Sequence, residues 1–222
     1  YPMLSQTMGL HYGSNYVLDG EGAYEARVQV GGVSLRRSGA YAGAFESPET
    51  ATVDFEFDTD ELHEVSISRP ENAGKRGAVA PMEMDGVPVG RAPDVDGLSG
   101  QHVGTESTGD AVFEVFLAEP AETDERFGAD PYLYVSARTP HTGITLPMMG
   151  LEATVRREGE IAWESTLRSG LDPDLGYHYG ASVPDVREGD EVTVATTVPP
   201  QVARHDGYET AFLGMEDVSV RV

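Results

Sequence analysis

The chain has 222 residues, with 38 Asp and Glu against 15 Lys and Arg, a formal net charge of −23 and no cysteine. That charge repels a phosphate backbone and excludes nucleic acid as a partner. The missing thiols exclude a disulfide framework, a thiolate metal site and a cysteine nucleophile. No stretch reaches the roughly 18 apolar residues that a membrane-spanning helix needs.

Among the basic residues only Lys75 is lysine. Abundant carboxylates with almost no lysine suit a protein that stays hydrated in concentrated salt, where screening shrinks to a few Å. A haloarchaeal source is therefore expected, and the acidity is read as adaptation to solvent.

Along the chain, alternation dominates. Tyr24, Ala26, Val28 and Val30 alternate with polar residues, as do Val53, Phe55 and Phe57. Residues 68–109 are rich in Gly, Pro and Asp and read as a linker or long loops. Strand-like runs resume at Val112–Leu117, Tyr132–Ala137, Leu151–Arg157, Val192–Val198 and Val218–Val222, separated by turn clusters such as Arg157-Glu158-Gly159-Glu160 and Pro199-Pro200. The expected fold class is all-β, built of immunoglobulin-like β-sandwich modules in tandem.

The tandem reading rests on an internal match. Residues 4–55 recur at 171–222: Leu4, Gly9, His11, Tyr12 and Gly13 match Leu171, Gly176, His178, Tyr179 and Gly180. Arg37, Tyr41, Ala44 and Phe45 match Arg204, Tyr208, Ala211 and Phe212. The second copy is preceded by strand-like residues 110–167, which have no counterpart before Tyr1. The expected division is thus 1–67, the C-terminal part of a first module; 68–109, linker; and 110–222, a complete second module. The first module is expected to be truncated at its N-terminus, together with any secretion signal or lipid anchor. The Arg and Tyr shared by the copies are expected to make corner contacts, Arg pairing an acid and Tyr bonding a backbone carbonyl.

Side chains able to hold a metal stand out. The six histidines are His11, His63, His102, His141, His178 and His205, and the methionines include Met3, Met8, Met84, Met148 and Met149. Imidazole suits Cu, Zn, Fe and Ni, and thioether suits Cu(I). Against this stands the plainer reading, that the repeated His satisfies a turn and the methionines fill a core. Asp19-Gly20-Glu21-Gly22 and Asp172-Pro173-Asp174 lack the full oxygen-ligand spacing of a calcium loop. No hydrolase elbow, P-loop, His-Glu-x-x-His or dinucleotide fingerprint occurs, so no enzyme is expected.

The run Pro2-Met3, His11-Tyr12-Gly13-Ser14-Asn15 and Gly22-Ala23-Tyr24, leading into an alternating strand, resembles the periplasmic iron-transport accessory proteins. These are immunoglobulin-like, copper-binding partners of ferrous iron permeases. In them Met-Pro-Met precedes His-Tyr-Gly-Ala-Asn, and a strand ending in Pro-Pro precedes a further His. The second copy keeps His178-Tyr179-Gly180-Ala181, Glu191–Val198, Pro199-Pro200 and His205.

The resemblance implies a copper or iron ion held by His11 with Met3 in the first module, Met8 competing for that role. In the second module it implies His178 with His205, completed by Met148, Met149 or His141 if the fold brings them near. Neither copy carries the full set: nothing precedes His178 as Met3 precedes His11, and Ser38 stands where the second copy has His205. It further implies an extracytoplasmic, surface-anchored lipoprotein, a membrane iron permease as partner and a homodimer. The alternative is a cell-surface structural or interaction protein that has lost metal binding and keeps His-Tyr-Gly for its fold.

Overall fold

A computed structural model describes residues 2–60, 67, 69, 71, 73–82 and 89–222. His63 and Met84 lie outside the described residues. The strands are β1 (Pro2–Ser5), β2 (Gly9–Tyr12), β3 (Gly22–Val30), β4 (Arg36–Arg37), β5 (Glu49–Phe57), β6 (Gln101–Thr108) and β7 (Ala111–Ala118). They continue with β8 (Tyr132–Arg138), β9 (Gly150–Arg157), β10 (Glu160–Asp172), β11 (Gly176–Ser182), β12 (Glu191–Val198), β13 (Ala203–Arg204) and β14 (Val218–Arg221). The all-β expectation is met.

The main sheet runs β14-β12-β9-β10-β11-β8-β7-β6, with β4 added on β10. Strand β10 is the corner. Its first part, Glu160–Leu167, pairs antiparallel with β9, and its second, Arg168–Asp172, pairs with β11. The sheet therefore folds over itself, and Val220 of β14 meets β6 at Gly104, where an added Cβ would lie 2.8 Å from the Val220 side chain. Between the two halves sit Phe113, Val115, Leu133, Val135, Leu151, Val155, Val192 and Val194, all excluded from solvent.

Local chemistry sets the turns. The β6–β7 turn places Gly109 and Asp110 at φ +52° and +69°, the left-handed pair of a tight hairpin. A Cβ on Gly109 would also collide with the Gly214 carbonyl, so only glycine fits. By composition residues 101–108 belong with the connecting loops of 68–109. Instead this segment is an edge strand, because Val103, Gly104 and Thr108 pack inward while Glu106 faces water.

Outside the main sheet lie two smaller pairings. Strands β3 and β5 form a two-stranded ribbon, Tyr24 opposite Phe55 and Ala26 opposite Val53, with Val28, Val53 and Phe55 exposed. Strands β1 and β2 form a hairpin whose outer neighbour is β13, parallel to β1. Leu4 of β1 is buried in the main core.

Candidate metal site

In the β1–β2 hairpin Met3 stands directly opposite His11, and opposed residues project from one face. Gly9, at φ +65°, turns the chain so that its carbonyl accepts a hydrogen bond from His11 Nδ1 at 3.1 Å. A carbonyl can only accept, so Nδ1 carries the proton and Nε2 is left with a free lone pair. This is how a backbone carbonyl orients a metal-ligating imidazole. Gly13 keeps the space open: a Cβ there would lie 2.8 Å from the Met3 terminal methyl and 3.8 Å from His11 Nε2.

The third group comes from the far end of the chain. Strand β13 pairs with β1 in parallel, Met3 with Ala203 and Leu4 with Arg204, and the His205 N–H donates to the Leu4 carbonyl at 3.1 Å. His205 is thereby set edge-on against His11, with ring centroids 5.5 Å apart. Its Nε2 is buried and has no hydrogen-bond partner. A buried polar nitrogen left unpaired costs about 1–3 kcal/mol and calls for an explanation. The metal-ligating side chain set against this ring is His11, with Met3 opposite it in the hairpin. No carboxylate joins them: among the described residues no group of three His, Cys, Asp or Glu is placed to hold a metal.

The other candidates are placed elsewhere. Met8 sits in the β1–β2 turn, beyond the Ser5–Gly9 pair, and is exposed. His141 is exposed in the loop after β8. The Met149 side chain is buried in the core, and the backbone N–H groups of Met148 and Met149 donate to the Tyr177 and Tyr179 hydroxyls. His178 lies between those tyrosines on β11 and so projects from the opposite face of the strand. Hence His178, His205 and Met148 or Met149 are not assembled into one set; His205 joins Met3 and His11 instead.

His178 has its own surroundings. Gly176, at φ +63°, accepts from Nδ1 at 3.0 Å, as Gly9 does for His11. Here Nε2 is closed off by the Tyr132 hydroxyl at 3.3 Å, and the ring is fully buried against Phe127, Tyr132 and Tyr134. Burial, only partly offset by the Gly176 bond, pushes its pKa down to about 4. The adjacent Asp172 is also buried. Arg126 grips it with two hydrogen bonds of 2.9 and 3.0 Å, and Ser38 Oγ donates at 2.6 Å. Burial works to raise this carboxyl, but the bonds from Ser38, the Asp174 N–H and Arg126 outweigh it and hold the pKa below the usual carboxylate range. Arg126 also binds Asp174 at 2.6 Å, so the Asp-Pro-Asp run serves an arginine. The corner arginines likewise depart from expectation: Arg204 bonds the Ala211 carbonyl, and Arg37 the carbonyls of Val33 and Leu35, with no acid among these partners.

Composition offered no signal for Tyr132, Arg126 or Ser38. Only the position of Ser38 against His205 in the repeat pointed to it.

Residues 96–221 match the family described as Domain of unknown function (DUF7350). No curated protein matches the chain. Among solved structures, FetP of uropathogenic Escherichia coli is similar at 21% identity and a TM-score of 0.42, over 55% of this chain and 91% of that one. A copper-bound variant of FetP gives 20% and 0.43 over 56% and 93%. A copper-bound variant of Campylobacter jejuni P19 gives 18% and 0.42 over 55% and 95%.

Proposed function

The chain belongs to the DUF7350 family, whose function is unknown, and from its own side chains we propose that it is a non-catalytic metal-binding protein holding copper through Met3, His11 and His205. The observation that carries this reading is the buried, unpartnered Nε2 of His205, on a ring set edge-on against that of His11, whose Nδ1 is already spent on the Gly9 carbonyl. Two imidazoles and a thioether suit copper, the thioether favouring Cu(I). Iron is the weaker candidate for a set without a carboxylate.

The wider role is an extracytoplasmic accessory of iron transport, anchored at the cell surface and serving a membrane iron permease. It follows from the sequence resemblance around His11-Tyr12-Gly13 and His205. Among the described residues no helix is long and apolar enough to cross a membrane.

Cu(II) titration in high salt, followed by metal analysis, tests the site. The wild type is expected to take up copper, and His11→Ala and His205→Ala to lose at least about 100-fold in affinity. Equal uptake by all three would leave the cell-surface structural protein as the better account.

A further inference from the structure

The hairpin and β10–β11 are built alike down to single bonds. Met3 faces His11 as Gly170 faces His178, and Leu4 faces Leu10 as Leu171 faces Tyr177. Their outer neighbours correspond as well, but crosswise. Strand β1 pairs in parallel with Ala203–Arg204, and β10 pairs in parallel with Arg36–Arg37. The His205 N–H bonds the Leu4 carbonyl at 3.1 Å, and the Ser38 N–H bonds the Leu171 carbonyl at 3.1 Å. In the internal sequence match, 36–38 and 203–205 are the same segment of the two copies. Each copy therefore lends this segment to the other, and the lending is reciprocal.

We propose that the chain is a fused pair of repeats that exchange these strands, and that its two equivalent positions have divided their work: the one at His11 takes metal, while the one at His178 is a metal-free lock that joins the repeats. The metal half of this inference rests on the function proposed above.

The substitutions between the two positions go in one direction. Where the first has Met3, the second has Gly170, and a Cβ there would lie 3.0 Å from His178 Nε2, so no thioether fits without displacing the ring. Where the first has His205, the second has Ser38, whose hydroxyl is spent on Asp172. Where the first has Ser5, the second has Asp172, which holds Arg126 from the loop before β8. The Arg36 guanidinium lies over the Phe127 ring at 4.5 Å and closes that flank with a positive charge. Every donor of the second position is thus replaced or already bonded. The Ser38 bond to Asp172 and the Arg36 stack on Phe127 tie residues of the first copy to residues of the second module, while the Arg126–Asp172 pair braces the second module itself.

Two measurements on the intact chain test this. In metal-free protein, NMR contacts between Leu4 and Arg204, and between Leu171 and Arg37, are expected; Leu4 against Arg37 and Leu171 against Arg204 would overturn the exchange. In Cu(II) equilibrium dialysis the wild type is expected to bind one ion per chain, and His178→Gln to keep that ion with affinity unchanged within about twofold. His178→Gln keeps a similar size and a donor for the Gly176 carbonyl, and Ser38→Ala provides a second variant expected to leave copper binding intact. Two ions per chain, or copper lost in either variant, would overturn the division of work. No copper in the wild type would overturn it together with the proposed function, while the NMR contacts judge the exchange independently.

Discussion

His11 and His178 share a strand position, a left-handed glycine two residues earlier and the same Nδ1 bond to that glycine's carbonyl. What separates them is the other nitrogen. Around His11 the neighbours are a thioether, a second imidazole and the cleft kept by Gly13. Around His178 they are three aromatic rings, with Tyr132 bonded to Nε2 and a buried ion pair close by. One backbone device can thus present an imidazole to a metal or seal it into a core, and the second layer decides which.

The largest effect that would break this contrast is expected at Asp172. Replacing it with Ala strips Arg126 of its bidentate partner, leaving it Asp174 and Asp124, and takes the acceptor from the Ser38 hydroxyl and the Asp174 N–H. A loss of about 3–5 kcal/mol is expected because several hydrogen bonds to one charged acceptor, each about 1.5–3 kcal/mol, are lost together, read as the midpoint shift in guanidinium unfolding at fixed high salt. Copper affinity should not move. A coupled loss of copper would mean that the two positions are not separate.

His178 gives the next effect, as a pH dependence. In the folded chain burial holds its pKa near about 4, against 6.5 when free. Between those values the unfolded chain binds the extra proton, so stability is fully present above 6.5 and declines as pH falls toward 4. The shift corresponds to about 3 kcal/mol. Asp172 titrates below its ordinary 3.8, so its loss begins only at lower pH. Unfolding curves measured from pH 7 to 4 should lose this slope in His178→Gln. A slope of equal size in both proteins would show that His178 is not the group responsible.

A smaller test addresses the open position. Gly13→Ala places a methyl against the Met3 terminal methyl, which must swing away from His11. Copper affinity is expected to fall about tenfold, or ~1.4 kcal/mol, with thermal stability unchanged. An unaltered copper isotherm would remove Met3 from the ligand set.

Much of the fold was legible from alternation, and the misses have physical causes. Strands β3, β5, β7, β8, β9, β12 and β14 carry β-branched or aromatic residues at period two. Strand β6 hid behind Gly104, Glu106 and Thr108, and β10 behind a bend at Ile161–Trp163 and a change of partner halfway along. The gapless internal match also slips by one residue locally: Val53 pairs with Ala26, whereas Val220 pairs with Val192, whose place in the gapless match is held by Glu25. Met3, His11 and His205 could each be picked by residue type. That they share one site could not be read, because the parallel contact of β1 with β13 joins opposite ends of the chain and leaves no local trace.

The smallest effect belongs to Tyr132, and it asks how tightly the closed position is sealed. Its hydroxyl meets His178 Nε2 at 3.3 Å, a long bond. Burial raises the phenol to about 12, so it remains a donor throughout the neutral range. Tyr132→Phe keeps the ring that stacks on Phe127 at 4.1 Å and removes only the donor. A loss of about 0.5–1.5 kcal/mol is expected. With the lone pair uncovered, His178 should also protonate at somewhat higher pH, which NMR titration of its ring would detect. If Tyr132→Phe instead bound a second copper ion, the hydroxyl would be the gate of a working site, and the contrast between the two histidines would rest on one oxygen atom.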